Sequence, residues 1–506
     1  MRVLCRAYDI DAPGGSGAWM RVLADTLRAR GAEVWATAES IDERDVAAWN
    51  PDVIVGQQWA TAEATRWATS LRRPFVMVVH GAGQYEAFMP QCDLVVCANP
   101  SLQEALRPFL GPTPSLVCGT DQQVELDLVR QRLEAVAAAG RRRPTLTLCM
   151  TVANEGATIE RAIDSVADVV DEIVIGVDVR SSDETLAIAR RRATRVFEFD
   201  ESQPPDFPRM RNRALALAET DWVIVVDGHE WIDHAHLIRE ALETDAWSIE
   251  IQTLFEPDEQ RVPALAFLFP RIHRRHVRFA GAAAHEEVTT PLERRDARAD
   301  IQVWHERKPG VAADARSAEK SGRELVHLRE AWEQRGDRRA LFYLANGLRE
   351  SGRHDEAIAA YTSYLEAPNF AEEAWHARLY RARCHATRED HAAAIVDFTA
   401  AITTAPQRAE AVVGLGYACL AMGDSARAAA WFRMATALPQ PRDCRLFVEV
   451  PVYRWGAWHG LALALDAAGD AAGAVDAAAH AAAGGAGPWA ARNLAWWRER
   501  AGSTVR

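Results

Sequence analysis

The C-terminal part of the chain repeats itself, and no other feature limits its fold so tightly. SGRHDEAIAAYTSYL at 351–365 is echoed by TREDHAAAIVDFTAAI at 387–402, MGDSARAAAWFRMATAL at 422–438 and AGDAAGAVDAAAHAA at 468–482. Tyr361, Phe398 and Phe432, with Trp431 beside it, recur at 34 to 37 residues. A second amphipathic stretch precedes each: LFYLANGLRE, ARLYRARCHA, AVVGLGYACLA and GAWHGLALALD. Such a unit is too small to bury its own apolar face. Neighbouring units therefore stack into a solenoid with a concave surface over about 315–500. Pro439, Pro441 and Pro451 mark an insertion that interrupts the last spacing. A generic helical bundle is the plainer alternative.

The chain has 506 residues, enough for about three domains at roughly 150 residues each. Its net charge of −13 argues against a general nucleic-acid binder, because neutralising phosphates needs an excess of Lys and Arg. The runs Arg141–Arg143 and Arg271–Arg278 are local exceptions, and the first reads as solvated charge at a linker. Eight scattered cysteines form no C-x-x-C pair, which fits buried thiols in a reducing compartment. The N-terminus opens on a strand without a signal-peptide pattern. No apolar run approaches the ~20 residues of a membrane span. These features lead us to expect a cytoplasmic protein.

Residues 1–125 alternate short apolar runs (VLCRAY, DVIVG, FVMVVH, DLVVCAN) with amphipathic ones, the pattern of a parallel sheet covered by helices. Gly14, Gly15 and Gly17 follow the first strand. They would permit an anion at a helix N-terminus, but a simple strand-to-helix turn is the better account. QQVELDLVRQRLEAVAAAG at 122–140 has helical spacing and ends on Gly140, so 126–143 reads as a linker helix.

Residues 144–308 carry the chemistry. TLTLCMTVANEG is a strand entering a polar turn, ATIERAIDSVADVV a helix, and DEIVIGVDV a strand ending on Asp178. A further helix and the strand RVFEF complete a βαβαβ unit. Its strand C-termini should line one edge, where open sheets bind ligands. Asn154, Glu155 and Asp178 fall at that edge, though each alone could be a turn or cap residue. A helix starting with Arg211 and Asn212 leads to DWVIVV, which stops on Asp227, Gly228, His229 and Glu230. Asp and His two apart across a glycine can face one cation, and a cation there would neutralise a nucleotide diphosphate. His285 and Glu286, after a basic hairpin, could supply the third ligand from a distance. A half-buried structural histidine is the bland reading of His285.

Taken together, these motifs resemble known families. The repeats resemble tetratricopeptide repeats. GGSGAWMRVLADTLRARGAEV, PDVIVGQQW, PFVMVVHGAG and CDLVVCANPSLQEAL resemble the N-terminal half of a GT-B glycosyltransferase, whose nucleotide-binding half has no counterpart here. Residues 144–308 resemble family 2 glycosyltransferases of GT-A type, particularly bacterial ones whose catalytic domain precedes such repeats. The ordered motifs are Asn154-Glu155, Asp178 to Thr185, Arg211-Asn212, Asp227-Gly228-His229-Glu230, His285-Glu286 and a later His305. The resemblance implies an α/β plus all-α protein, with an N-terminal Rossmann-like domain, a central GT-A domain and a C-terminal tetratricopeptide-like solenoid.

It further implies that Thr151, Asn154, Glu155, Asp178 and Arg211 hold a nucleotide-sugar donor, with UDP as nucleotide. Asp227, His229 and His285 would surround a divalent metal, and a histidine in place of the usual second aspartate favours Mn²⁺ over Mg²⁺. Arg180 stands where the family's motif has glycine, which would narrow the donor pocket. The expected reaction is inverting transfer to a hydroxyl or thiol of a peptide or protein. Asp227 assists the leaving group, and Glu286 acts as general base, with Glu287 and Asp233 behind it. Competing readings are a non-catalytic peptide-binding scaffold with a relic core, and a glycosyltransferase acting on modified DNA or a glycan. The repeats could also brace a homo-oligomer.

Overall fold

The structure is a computed structural model. It describes residues 1–506 except 8–14, 58–59, 81–91, 111–112, 119–122, 141–142, 201–206, 245, 260, 283–284, 291–293, 307–315 and 505–506. For 15–17, 108–110, 123–125, 127, 207, 281–282, 285–287, 316–321, 323–324 and 501–504 it describes the backbone alone.

Alternating strands and helices build the first region: β1 (Arg2–Arg6), α1 (Gly15–Ala29), β2 (Glu33–Thr37), α2 (Glu43–Trp49), β3 (Val53–Gln57), α3 (Thr61–Ser70), β4 (Phe75–Val79), β5 (Leu94–Cys97), α4 (Pro100–Leu110), β6 (Ser115–Val117) and α5 (Gln123–Ala139). Its six strands are all parallel, in the order β2-β1-β3-β4-β5-β6. The central strands β3, β4 and β5 are wholly buried, as their unbroken apolar runs require when helices cover both faces. The expected linker helix is not a free connector. In α5, Leu126, Val129 and Leu133 are buried in the core on one face of this sheet.

The central region comprises β7 (Leu146–Val152), α6 (Ile159–Asp164), β8 (Glu172–Asp178), α7 (Thr185–Arg192), β9 (Arg195–Phe199), α8 (Phe207–Leu217), β10 (Trp222–Val225), β11 (Glu230–Asp233), α9 (Ile238–Ala241), β12 (Ser248–Pro257), β13 (Pro263–Arg274), β14 (Phe279–Ala282), β15 (His285–Val288) and β16 (Arg295–His305). One mixed sheet runs β11-β16-β12-β13-β10-β7-β8-β9, while β14 and β15 form a separate ribbon. Strands β10, β7, β8 and β9 are parallel, so β7, β8 and β10 end along one edge. Trp247, just before β12, packs against the first region's core as well as the core beneath α8.

The repeats follow as antiparallel pairs: α10 (Arg316–Arg335), α11 (Arg338–Glu350) with α12 (His354–Glu366), α13 (Ala371–Thr387) with α14 (His391–Thr404), α15 (Ala409–Ala421) with α16 (Ser425–Thr436), α17 (Ala457–Ala467) with α18 (Ala471–Ala483), and α19 (Pro488–Thr504). Within each pair the chain reverses at a left-handed residue: Gly352, Glu389, Gly423 and Gly469. In three of the four an aspartate comes next and caps the second helix. Asp390, Asp424 and Asp470 accept the backbone N–H of Ala393, Arg427 and Gly473, each contributing about 1 kcal/mol. The recurrent aromatics explain the small residues of the following pair. Any Cβ at Gly414 would collide with Phe398, and one at Gly460 with Phe432.

The proline-marked insertion is the unexpected part. It contributes β17 (Val448–Glu449), which pairs antiparallel with β13 at Ala266 and Leu265. Nearby, Leu268 N–H donates to Cys444 O at 2.7 Å. Arg445 reaches the fully buried Glu250 at 2.9 Å. The solenoid is thereby hydrogen-bonded to the central sheet.

Candidate active site

The expected edge is assembled by turns that the sequence motifs stitch together. Asn154, in left-handed conformation at φ 53°, accepts the Ser182 N–H through Oδ1 at 2.9 Å. Asp183 accepts the Gly156 N–H at 2.8 Å and the Thr185 N–H at 3.0 Å. Thr185 Oγ1 accepts the Glu155 N–H at 2.8 Å. The Asn-Glu and Asp-to-Thr motifs thus lock the loops after β7 and β8 to each other.

The loop after β10 then folds over Glu155. A Cβ on Gly228 would lie 2.8 Å from Glu155 Cγ, so only glycine lets the turn approach this closely. That approach brings His229 Nδ1 to 3.0 Å from Glu155 Oε1, and Thr158 donates to Glu155 Oε2 at 3.1 Å. The next residue, Glu230, is fully buried and gripped by both guanidinium nitrogens of Arg271, at 3.0 and 2.7 Å. Its Oε1 also lies 2.9 Å from Nδ1 of His305, at the end of β16. His305 is fixed from its other side by Phe255, stacked at 4.0 Å and 14°.

This places two imidazoles with Nε2 atoms 3.3 Å apart. An ionised carboxylate only accepts, so each Nδ1 facing one holds the ring proton. Both Nε2 atoms then present lone pairs to each other, an arrangement that needs a proton or a cation between them. Asp227 offers a carboxylate oxygen to the same point, and the three ligand atoms lie within 4.8 Å of one another. Burial pushes the Asp227 carboxyl up, but Arg211, Arg271 and the two imidazoles more than offset it and hold it ionised. Burial lowers the His229 imidazole, and its bond to Glu155 with nearby Asp227 and Glu230 more than restores it, so the net shift is upward. A carboxylate behind each histidine is the arrangement that orients metal-bound imidazoles, and the three groups fit a divalent cation.

Among the expected site residues, Asp227, His229, Glu155 and Arg211 come together, Arg211 lying 3.3 Å from Asp227. Thr151 lines a small crevice with Arg211. Asn212 clamps the backbone of Phe279 through two bonds of 2.8 Å, which sets the β14–β15 ribbon beside α8. His285, Glu286 and Glu287 lie on that ribbon, and their side chains are outside the described residues. The third group at the cluster is His305, which the motif order contained but to which sequence reasoning gave no role. Its signal was a histidine closing an apolar strand, IQVWH.

Asp178 and Asp233 differ from expectation. Arg180 holds Asp178 in a fork, Nε to Oδ1 at 3.1 Å and a terminal nitrogen to Oδ2 at 2.7 Å, so a guanidinium covers the expected base-binding carboxylate. Asp233 accepts from Arg261 at 2.8 Å and from the Trp304 indole at 3.0 Å. It sits three residues along β11 from Glu230, about 10 Å away. These bonds tie it to its neighbours instead of leaving it poised as a base.

Two parts of the chain match known families. Residues 147–246 match the glycosyl transferase family 2, and 324–372, 342–408 and 393–441 match the tetratricopeptide repeat. A TPR repeat-containing protein of Synechococcus elongatus is 38% identical over 85 residues, which is 17% of this chain and 20% of that protein. The match therefore spans about a fifth of that relative's length. Solved structures similar to the repeats include MamA from Desulfovibrio magneticus (18% identity, 33% of this chain and 87% of that one, TM-score 0.27). Another is a TPR protein of Thermus thermophilus (16% identity, 36% and 93%, TM-score 0.27). No described helix is long and apolar enough to cross a membrane. The chain carries a family 2 glycosyltransferase domain followed by tetratricopeptide repeats.

Proposed function

We propose that the protein is an inverting, divalent-metal-dependent glycosyltransferase that moves a sugar from a UDP-sugar to a hydroxyl or thiol of a peptide or protein. The observation that carries this reading is the convergence of Asp227 and the Nε2 atoms of His229 and His305 on one point beside Arg211. Asp227, His229 and His305 would hold the metal. Two imidazoles and one carboxylate favour Mn²⁺ over Mg²⁺. Bound there, the cation would neutralise charge developing on the departing diphosphate. Arg211 contributes a fixed positive charge at the same place. Glu155 and Glu230 keep both imidazoles in the tautomer that leaves Nε2 free, and Arg271 keeps Glu230 ionised. Thr151, near the end of β7, shares a packed crevice with Arg211. Glu286 is the proposed base, because its ribbon is pinned beside α8 by Asn212.

The test is calorimetric titration of UDP with and without Mn²⁺, on the full chain and on Asp227→Ala and His305→Ala. Metal-dependent UDP binding that both variants abolish supports the reading. UDP binding, or transfer, that survives both variants and chelation overturns it.

A second reading has one observation in its favour: Arg180 covers Asp178, so a non-catalytic scaffold with a relic core would look like this. It predicts no UDP binding at millimolar nucleotide, whether or not Arg180 is replaced.

A further inference from the structure

The six-stranded sheet has a strand-end edge that the chemistry of the central domain does not use. Its order, β2-β1-β3-β4-β5-β6, changes direction at β1 and β3. Helix α1, which follows β1, packs Trp19, Met20 and Leu23 into the core on one face. Helix α3, which follows β3, packs Ala64, Trp67 and Ala68 into the core on the other. The chain thus leaves the neighbouring strands β1 and β3 toward opposite faces. In open parallel sheets that is the point, outside the strand C-termini, where ligands bind.

Two contacts bring both helix starts to this point. Glu63, in the first turn of α3, accepts from Nε of the buried Arg6, the last residue of β1, at 2.7 Å. Trp19, one turn into α1, meets the ring of His80, just past β4, edge to face at 5.6 Å. Three polar atoms here are buried without a hydrogen-bond partner: Trp19 Nε1, Thr61 Oγ1 and His80 Nε2. Trp19 is only 3% exposed and Thr61 1%. Thr61 opens α3, and the residue before it is the buried Ala60, so no side chain caps that helix. Native proteins rarely leave buried polar atoms or buried helix starts empty, and here three such atoms share one edge.

The polarity of this edge selects the sign of a ligand. An indole N–H can only donate, and a threonine hydroxyl adapts. Burial lowers the His80 imidazole, so at neutral pH it is uncharged and carries one N–H to donate. Helices α1 and α3 both present their positive ends. The nearby carboxylate, Glu63, is taken by Arg6 and by Ser40, which donates at 2.6 Å. Donors with no competing acceptor suit an anion. We propose that this edge binds the anionic group, phosphate or carboxylate, of a small molecule, held by Trp19, Thr61 and His80 between the starts of α1 and α3. The site is distinct from Asp227, His229 and His305, and requires neither the metal nor the sugar donor.

The test titrates the full chain, kept in EDTA, with inorganic phosphate and with succinate, by calorimetry and by the indole ¹⁵N–H resonances. The resonance missing in Trp19→Phe belongs to Trp19, and it is expected to shift on titration. Thr61→Val keeps the side-chain shape and removes the hydroxyl. Each variant is expected to weaken anion binding about tenfold or more, because hydrogen bonds to charged groups are the strong ones. Without ligand, Thr61→Val should keep or raise the urea midpoint, since its hydroxyl has no partner to lose; a fall in that midpoint overturns the role given to Thr61. Phosphate bound in preference to succinate identifies a phosphoester ligand, and the reverse a carboxylate. Binding of neither at millimolar concentration, which leaves the three atoms to water, overturns the proposal. Binding that leaves the Trp19 resonance unmoved and both variants unaffected overturns it equally.

Discussion

Glu155→Gln isolates what the carboxylate behind His229 contributes. The substitution keeps shape and hydrogen-bonding capacity: the amide oxygen still accepts from Nδ1 at the 3.0 Å position, and the Glu155 N–H still donates to Thr185. It removes one negative charge from the back of the imidazole. Loss of such a partner typically weakens metal binding 10–100-fold, which is about 1.4–2.7 kcal/mol at 1.36 kcal/mol per tenfold. The contrast with Glu230 sharpens the test. Glu230 also neutralises the buried Arg271, so removing its charge strands a guanidinium in the interior and costs about 3–5 kcal/mol of stability. Glu155→Gln should therefore lower Mn²⁺ affinity with little change in the urea midpoint, and Glu230→Gln should lower the midpoint first. Mn²⁺ titration followed by electron paramagnetic resonance, beside urea unfolding, reads both. Affinity within twofold of wild type in Glu155→Gln would refute the role given to the carboxylate.

Further perturbations separate the parts of the site. Gly228→Ala drives a Cβ into Glu155, so UDP and Mn²⁺ binding should fall together by calorimetry while circular dichroism stays that of the folded chain. Arg180→Gly uncovers Asp178, and UDP affinity should rise several-fold; no change would show that the carboxylate does not meet the base. Arg445→Ala leaves the buried Glu250 with Arg295 at 3.4 Å as its described cation, so the urea midpoint should fall by the equivalent of about 1–3 kcal/mol, and the insertion should become the first site of proteolysis. Gly414→Ala overpacks against Phe398 and should destabilise the repeats by about 1–3 kcal/mol.

What the sequence made legible follows its periodicities. The repeats were readable because a recurring aromatic needs a recurring small partner, and the parallel strands because their apolar runs are unbroken. Asp227-Gly228-His229 was readable because an apolar strand rarely stops on three such residues. His305 was not assigned, because its role depends on β16 lying beside β11 and β12, and a pairing across 75 residues leaves no local trace. Arg180 was read as narrowing a pocket, whereas its reach back to Asp178 is a side-chain conformation that no spacing encodes. Strand β17 is two residues long in a stretch marked by prolines, below any pattern that periodicity can detect. Helix α5 shows the same limit: its spacing announced a helix, but not the sheet face on which Leu126, Val129 and Leu133 pack.

The insertion also answers a problem that the central sheet poses. Strand β10 pairs with β13 only at Ile272, His273 and Arg274, because the chain must leave the sheet there to bring Asp227 and His229 into position. That departure would leave the other half of the same β13 edge with open N–H and C=O groups beside the site, and unpaired edges are costly or aggregation-prone. Cys444 and β17 take up that edge at Leu268, Ala266 and Leu265. The solenoid therefore completes the sheet at the place where the turn carrying Asp227 and His229 leaves it open. A truncation that removes the repeats should expose this edge and Glu250 together, so loss of UDP binding in such a fragment reports on a damaged sheet.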